Sequence, residues 1–485
     1  MSFKKRVIKG SLWSLAGGAG QQIISFLIFL YLAKLLDARA IGIVASAAIL
    51  TDLTVVFARM GLVEAIQRHD ADHRIESAAW WCSALAGALG SSILIGSALI
   101  LKALGTDDEI ADVLLMLSPA TFLSATSAVQ EGLIRKRLDF RALTFRSWGA
   151  TLIGGGAAIL AFSMNYGLYA LVAQRVATAT VSAILIWLQA GWRPSWRPEL
   201  RPASIIVRDG GMILVGSFSG IINARVSDAI TTLLLGPTAL GFFRLASRFS
   251  DVMVQVLVTP IVAVALPSFA ALQNDRDALE RTYLRLTQFM AAASIPAFFG
   301  LGAVAEPFLT TILGAKWLGA TIIFQLMGFS ITAGAVNYFF APLMVATGRA
   351  DVVMKQSLSQ IFIGIFLILG GAHFGMVGVA IATVIRGAIV NVMNVYIINR
   401  LIGVKYRNII YQWLPPFICA IMMYAITKSI LSLINFQPYA ELIIGITIGS
   451  ISYTLLLVAG DFSGIWRHYV RGAFHSLRGR VGASV

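Results

Sequence analysis

Of the 485 residues, 58% are apolar and 13% charged, about half the charged share of a soluble globular domain, so water is excluded as the main solvent. A formal charge of +15 would elsewhere suggest nucleic acid, but the basic residues stand in short segments between apolar runs, a pattern of membrane topology that excludes a nucleic-acid partner. Two cysteines far apart and five histidines without ligand spacing imply no disulfide framework, metal site or cofactor.

A hydrophobic helix needs about 20 residues to cross a bilayer. Lys4, Lys5, Arg6 and Lys9 lead into an apolar run that reaches Leu36 without a cleavage site, which predicts a retained first span near 11–36. Further spans are predicted near 40–66, 77–103, 112–134, 147–165 and 167–189. The segment 191–208, with Pro194, Pro198 and Pro202 among Trp192, Trp196 and several arginines, reads as a cytoplasmic tether that touches anionic lipid head groups. A second set follows near 209–235, 238–266, 285–305, 317–346, 353–371, 375–399, 411–433 and 439–459. Within it, 270–285 mixes Asp275, Asp277 and Glu280 with Arg276, Arg281 and Arg285, which suggests a short surface helix. The glycine clusters Gly17, Gly18, Gly20 and Gly154, Gly155, Gly156 indicate close helix packing.

Lys and Arg are retained on the cytoplasmic side. Most of the 38 fall in loops on the side of the N-terminus, the densest being Arg135, Lys136, Arg137, Arg141 and Arg146, whereas the acidic loop of Asp107, Asp108, Glu109 and Asp112 lies opposite. Both termini are therefore expected in the cytoplasm, and tryptophans such as Trp80, Trp81 and Trp187 are expected at cytoplasmic span ends like an aromatic belt.

The turn Leu35-Leu36-Asp37-Ala38-Arg39-Ala40-Ile41-Gly42 recurs as Leu234-Leu235-Gly236-Pro237-Thr238-Ala239-Leu240-Gly241, and the same offset carries Gly17 onto Gly216 and Asp52 onto Asp251. Tyr166-Gly167-Leu168 recurs as Phe374-Gly375-Met376 at a slightly larger offset. The expected fold is an all-α polytopic membrane protein of about 14 helices. Two parallel six-helix lobes, 1–190 and 209–400, are related by a pseudo-twofold axis, with extra helices in 401–460 and a tail, 461–485.

The basic N-terminus before a Gly-rich first span, the Leu-Leu turn ending in Gly42, the start Leu133-Ile134-Arg135 of the basic loop, the Tyr166-Gly167 turn and the repeat Leu234-Leu235-Gly236-Pro237 together resemble the polysaccharide transporter branch of the exporter superfamily. That superfamily includes the Wzx-type flippases, the lipid II flippase MurJ and the MATE drug exporters. The resemblance covers nearly the whole chain. It implies export of undecaprenyl-diphosphate-linked oligosaccharide across a bacterial inner membrane, for capsule, exopolysaccharide or O-antigen, by rocking of two lobes. Polysaccharide polymerase and export machinery would be partners besides the membrane lipids.

An ionised side chain in hydrocarbon costs at least about 2.5 kcal/mol, so charges inside spans call for a wet cavity or a partner. Lys34, Arg59, Arg225, Arg244 and Arg248 belong to spans one, two, seven and eight, and by the resemblance the equivalent helices line a central cleft. Arg244, Arg248 and Asp251 stand at i, i+4 and i+7, Asp52 and Arg59 are seven apart, and Arg225 and Asp228 three apart, so each set shares a helix face. Guanidinium offers a planar fork suited to a diphosphate. The competing role is a structural ion pair with Asp52, Asp228 or Asp251, or snorkelling, which suits Lys34 near a span end. One aspartate cannot neutralise both Arg244 and Arg248. Arg175 and Arg386, on spans six and twelve, suit packing within a lobe. The same three aspartates are candidates for coupling to H+, ranked above Na+, with a fixed salt bridge as the alternative.

No catalytic group is expected. A membrane-embedded glycosyltransferase or polymerase would need acid-base groups in a sizeable outer loop, and the outer loops are short. A MATE-like ion-coupled multidrug exporter shares the architecture, but cationic drugs call for an acidic cavity, whereas the cleft-lining spans carry five cations against Asp52, Glu64, Asp228 and Asp251.

Overall fold

The computed structural model describes residues 3–68, 72–196, 204–332, 337–434 and 436–462, and their regular structure is helical throughout. The tail 463–485 and the linker positions 197–203, including Pro198 and Pro202, lie outside the described residues. By internal contacts the chain forms two compact units, Met1–Arg244 and Leu245–Val485.

In the first unit the helices are α1 (Phe3–Leu35), α2 (Ala38–Arg59), α3 (Leu62–Arg68), α4 (His73–Ala103), α5 (Asp108–Ala125), α6 (Ala128–Lys136), α7 (Phe140–Ser163), α8 (Tyr169–Ala190) and the greater part of α9 (Ser204–Met253). The second unit holds α10 (Thr259–Ala271), α11 (Arg276–Ala303), α12 (Ala305–Ile312), α13 (Thr321–Thr332), α14 (Asn337–Ala346), α15 (Ala350–Ala372), α16 (Gly375–Ile402), α17 (Tyr406–Leu433) and α18 (Pro438–Phe462).

Aspartates fix where several helices begin. Asp37 accepts a hydrogen bond from the Ala40 amide, Asp72 from Arg74 and Ile75, Asp139 from Ala142 and Asp275 from Ala278, each cap worth about 1 kcal/mol. Left-handed residues end others: Met60 after α2 (φ 50), Gly191 after α8 (φ 59) and Gly403 after α16 (φ 89). Along α4 and α18, Leu85, Leu89, Leu99, Ile443, Ile451 and Leu455 are exposed. Such stripes would drive aggregation in water and are expected where lipid is the solvent.

Eleven stretches among the described residues are long and apolar enough to cross a membrane, so the chain is a multi-pass membrane protein. The expected fourteen do not map one to one onto them. Ser217–Ala271, 55 residues, would extend about 80 Å as a straight helix, well over twice a hydrocarbon core. It breaks at Gly236 (φ 81, ψ 172), between the predicted spans 209–235 and 238–266, with Pro237 restarting the helix where a missing N–H costs nothing. Span 40–66 is interrupted at Met60 and span 112–134 at Thr126 and Ser127, and the described residues of span 317–346 fall in a short 3-10 turn, α13 and α14. The predicted surface helix at 270–285 is instead the first turns of α11, started by the Asp275 cap.

In the first unit Leu62, Ile66, Val129, Leu133, Ile186 and Trp192 share one core. The segment 191–196 is not a free tether. His73 Nε2 meets the Arg193 carbonyl at 3.0 Å, Trp81 Nε1 donates to the Ser195 carbonyl at 2.9 Å, and the Ser195 amide donates to Ser77 at 3.0 Å. Trp80 packs edge-on against both Trp81 and Trp187, so these rings, expected as an interfacial belt, are partners to one another.

Glycine clusters mark close approaches of α1, α7 and α8. A β-carbon on Gly155 would meet Ile28 at 2.3 Å, and one on Gly154 would meet Thr178 at 2.0 Å. The repeated turns meet each other: a β-carbon on Gly42 would lie 1.7 Å from the Pro237 carbonyl oxygen, and one on Gly241 1.8 Å from that of Ala38. Ala38 and Pro237, like Gly42 and Gly241, are equivalent positions of the internal repeat, so the contact is reciprocal.

In the second unit Phe269, Tyr283, Met290, Phe339 and Ile398 form the larger core, and Phe299, Cys419 and Tyr453 the smaller. A buried amide chain crosses it: Gln356 Nε2 donates to Asn394 Oδ1 at 3.0 Å, and Asn394 Nδ2 to Asn337 Oδ1 at 2.7 Å.

Candidate functional site

Asp52 lies on α2 between the buried Thr51 and Thr54, and α9 brings two cations and an acid to it. Arg225 Nη2 donates to Asp52 Oδ2 at 2.5 Å, and Arg225 Nη1 to Asp228 Oδ2 at 3.4 Å. From beyond the Gly236 break, Arg244 Nη2 also donates to Asp228 Oδ2. Arg175 of α8 approaches Asp52 Oδ1 at 3.8 Å. The charges alternate in the order Arg175, Asp52, Arg225, Asp228, Arg244, with one positive charge in excess.

This row is half-buried, its two aspartates 24% and 12% exposed and Arg225 and Arg244 23% and 20%. Each guanidinium is held by a carboxylate, which offsets the cost of placing it among apolar helices. The donors are not used up: the Nε atoms of Arg225 and Arg244 are buried without an acceptor. An oxyanion reaching the row would meet guanidinium forks and compete with Asp52 and Asp228 for them.

Arg59 belongs to a different centre. Although it follows Asp52 by two turns on α2, its Nη2 donates to Glu131 Oε2 at 2.9 Å. Arg135 donates to Glu131 Oε1 through Nε and Nη2, at 3.1 and 2.6 Å, and Arg146 Nη1 to Oε2 at 3.2 Å. Glu131 is 5% exposed, and its one carboxylate is shared by three guanidiniums. Sequence reasoning assigned Arg135 and Arg146 to topology and passed over Glu131. The signal was the four-residue spacing from Glu131 to Arg135, on one face of α6.

Arg175, assigned to packing, joins the row through Asp52. Lys34 is exposed in the last turn of α1, where a cation favourably meets the helix dipole. Arg248 and Asp251 continue the α9 face of Arg244 by one and two turns and belong to the second unit. Arg386, on α16, packs against Gly364.

Comparison with known proteins concerns the chain as a whole. The sequence model of a family described as polysaccharide biosynthesis protein matches residues 31–322. The chain is 23% identical over 465 residues to the succinoglycan biosynthesis transport protein ExoT of Rhizobium meliloti, covering 95% of this chain and 94% of that one. It is 24% identical over 476 residues to the teichuronic acid biosynthesis protein TuaB of Bacillus subtilis, covering 94% and 96%. Among solved structures, the inward closed conformation of the lipid II flippase MurJ aligns with a TM-score of 0.70 at 14% identity, covering 94% of this chain and 98% of that one. The last likeness concerns the fold.

Proposed function

Because the chain belongs to the polysaccharide biosynthesis protein family, we propose that it is a flippase for oligosaccharide repeat units linked to undecaprenyl diphosphate. It carries them from the cytoplasmic to the periplasmic leaflet of a bacterial inner membrane, for exopolysaccharide, capsule or O-antigen, with both termini in the cytoplasm. The observation that carries the reading is the row in which Arg225 and Arg244 share Asp52 and Asp228 within apolar helices. That one relative is a succinoglycan biosynthesis transport protein and the other a teichuronic acid biosynthesis protein agrees with it.

A diphosphate head presents several oxygens that exchange for carboxylate oxygens on the guanidinium forks. Arg225 and Arg244 take up the head group, and Asp52 and Asp228, deprived of a partner, become sites for H+. Arg248 and Asp251 lie farther along the same helix for the next stage of passage. Opening toward the periplasm lets the unpaired aspartates take up H+ from that side and releases the substrate, and return to the cytoplasmic side restores the aspartate pairs and gives up the proton there, so ion pairing and alternating access are one cycle. The multidrug reading suits the excess positive charge poorly, since organic cations would be repelled by Arg244 and Arg225.

The test is deletion of the gene followed by mass spectrometry of lipid-linked intermediates and measurement of surface polysaccharide. The expected result is a build-up of completed repeat units on undecaprenyl diphosphate, relieved by the wild-type gene and not by R244A at equal protein level. Normal intermediates with altered drug sensitivity would refute the proposal.

A further inference from the structure

The Glu131 cluster borders an open-mouthed cavity of about 240 Å³ lined by α1, α6, α7 and α8, with Arg135 and Arg146 in its wall. Pockets for drug-sized ligands run from about 300 Å³ upward, so this one suits a single ring or head group. Its charge is set by the cluster. Glu131 accepts from Arg59, Arg135 and Arg146, so one negative charge faces three positive ones. Arg146 is 15% exposed and its Nε is buried without an acceptor. An anion is therefore the charge this wall lacks.

The remaining wall has the opposite hydrogen-bonding character. Thr144 donates its hydroxyl proton to the Trp13 and Phe140 carbonyls, at 3.0 and 2.9 Å. Ser147 donates to Leu143 at 2.8 Å, Thr151 to Ser147 at 2.7 Å and Thr178 to Gln174 at 2.7 Å. A hydroxyl carries one proton. With that proton committed to a helix carbonyl, each oxygen can only accept, and it calls for a ligand rich in O–H donors.

We propose that this cavity binds one phosphorylated sugar residue, its phosphate on Arg135 and Arg146 and its ring hydroxyls donating to the Thr144, Ser147, Thr151 and Thr178 oxygens. None of the residues of the Arg175–Asp52–Arg225–Asp228–Arg244 row lines it. It rests on the proposed function only for the identity of the glycan: the first sugar and its phosphate, taken up before the head group reaches the row. A phospholipid head group with a polyol, such as phosphatidylglycerol, offers the same chemistry, and the experiment separates the two.

Full-length protein in phosphatidylcholine nanodiscs is titrated calorimetrically with glucose 1-phosphate, inorganic phosphate and glucose. Glucose 1-phosphate is expected to bind saturably and at least about tenfold more tightly than either fragment. R146Q is expected to weaken it about tenfold, the loss of one charge-assisted hydrogen bond, with R146K in between. S182F, which places a ring in the cavity without altering a charge, should abolish binding; if it fails to fold, the R146Q and R146K pair decides. Phosphate binding as tightly as the sugar phosphate, or R146Q binding like wild type, overturns the proposal. Loss of glucose 1-phosphate binding when phosphatidylglycerol is added to the nanodiscs overturns the assignment to glycan. If the wild type binds no glucose 1-phosphate while R244A abolishes export, this inference falls and the proposed function stands. If glucose 1-phosphate binds and the deletion strain accumulates no lipid-linked intermediate, the reverse holds.

Discussion

Glutamine in place of Glu131 removes one charge and almost no volume, so its effect isolates the electrostatics of the Arg59, Arg135 and Arg146 cluster. The carboxylate side chain is 7% exposed, while the three guanidiniums are 33%, 40% and 15% exposed. Breaking a buried pair by removing one partner costs roughly 3–5 kcal/mol; solvent reaches two of the arginines, which moves the expectation to the lower end, about 3 kcal/mol. In a unit of this size 1 kcal/mol corresponds to about 2–4 °C, so E131Q should melt about 6–12 °C lower. The assay is thermal unfolding of detergent-purified protein followed by size-exclusion fluorescence. Adding R59Q to E131Q removes part of the repulsion among the cations and should recover some of the loss, a coupling that a double-mutant cycle measures. A melting temperature for E131Q within about 2 °C of wild type, or no coupling with R59Q, would refute the assignment of Glu131 as the counter-charge of this cluster.

Substituting valine for Gly42 forces a β-carbon into the Pro237 carbonyl, 1.7 Å away, and should abolish export with a sharp fall in folded yield, whereas G96A, which meets nothing within 4 Å, should leave export intact and raise stability by up to about 1 kcal/mol; surface polysaccharide and size-exclusion profiles read both. R244K keeps the charge but not the fork and should restore only part of the export that R244A loses, at equal membrane insertion. Phenylalanine at Trp81 loses the bond to the Ser195 carbonyl, worth about 1 kcal/mol, and should speed chymotryptic cleavage after the exposed Trp196; an unchanged cleavage rate would mean the segment 191–196 is held elsewhere.

Helices were legible in the sequence because a bilayer leaves the backbone no other way to satisfy its hydrogen bonds. Turns that carry their own chemistry were legible too: the Gly236-Pro237 break needs a residue tolerant of φ 81 and then one that can start a helix. The interruption at Met60 was hidden because apolar residues continue on both sides and the left-handed conformation falls on methionine, a result of packing. Repeated Leu-Leu-to-glycine turns signalled the family, and the meeting of Gly42 with the Pro237 carbonyl shows what the glycines are for.

At the site, spacing identified partners on one helix, such as Arg225 with Asp228 and Arg135 with Glu131. Partners across the chain were out of reach: Arg225 to Asp52 spans 173 positions and Arg59 to Glu131 72. Helical phase placed Arg59 on the face of Asp52, but one face of a long helix meets different neighbours at successive turns. That is why one expected convergence of cations is, in the structure, a row at Asp52 and Asp228 and a cluster at Glu131.

The most direct measurement of the central claim uses proteoliposomes containing purified full-length protein and an undecaprenyl-diphosphate-linked oligosaccharide, with the sugar reaching the opposite leaflet detected by an impermeant lectin. The wild type should expose sugar in a time-dependent way, and the R225Q/R244A double variant should not, at equal reconstitution. Equal exposure by the two proteins would contradict the account.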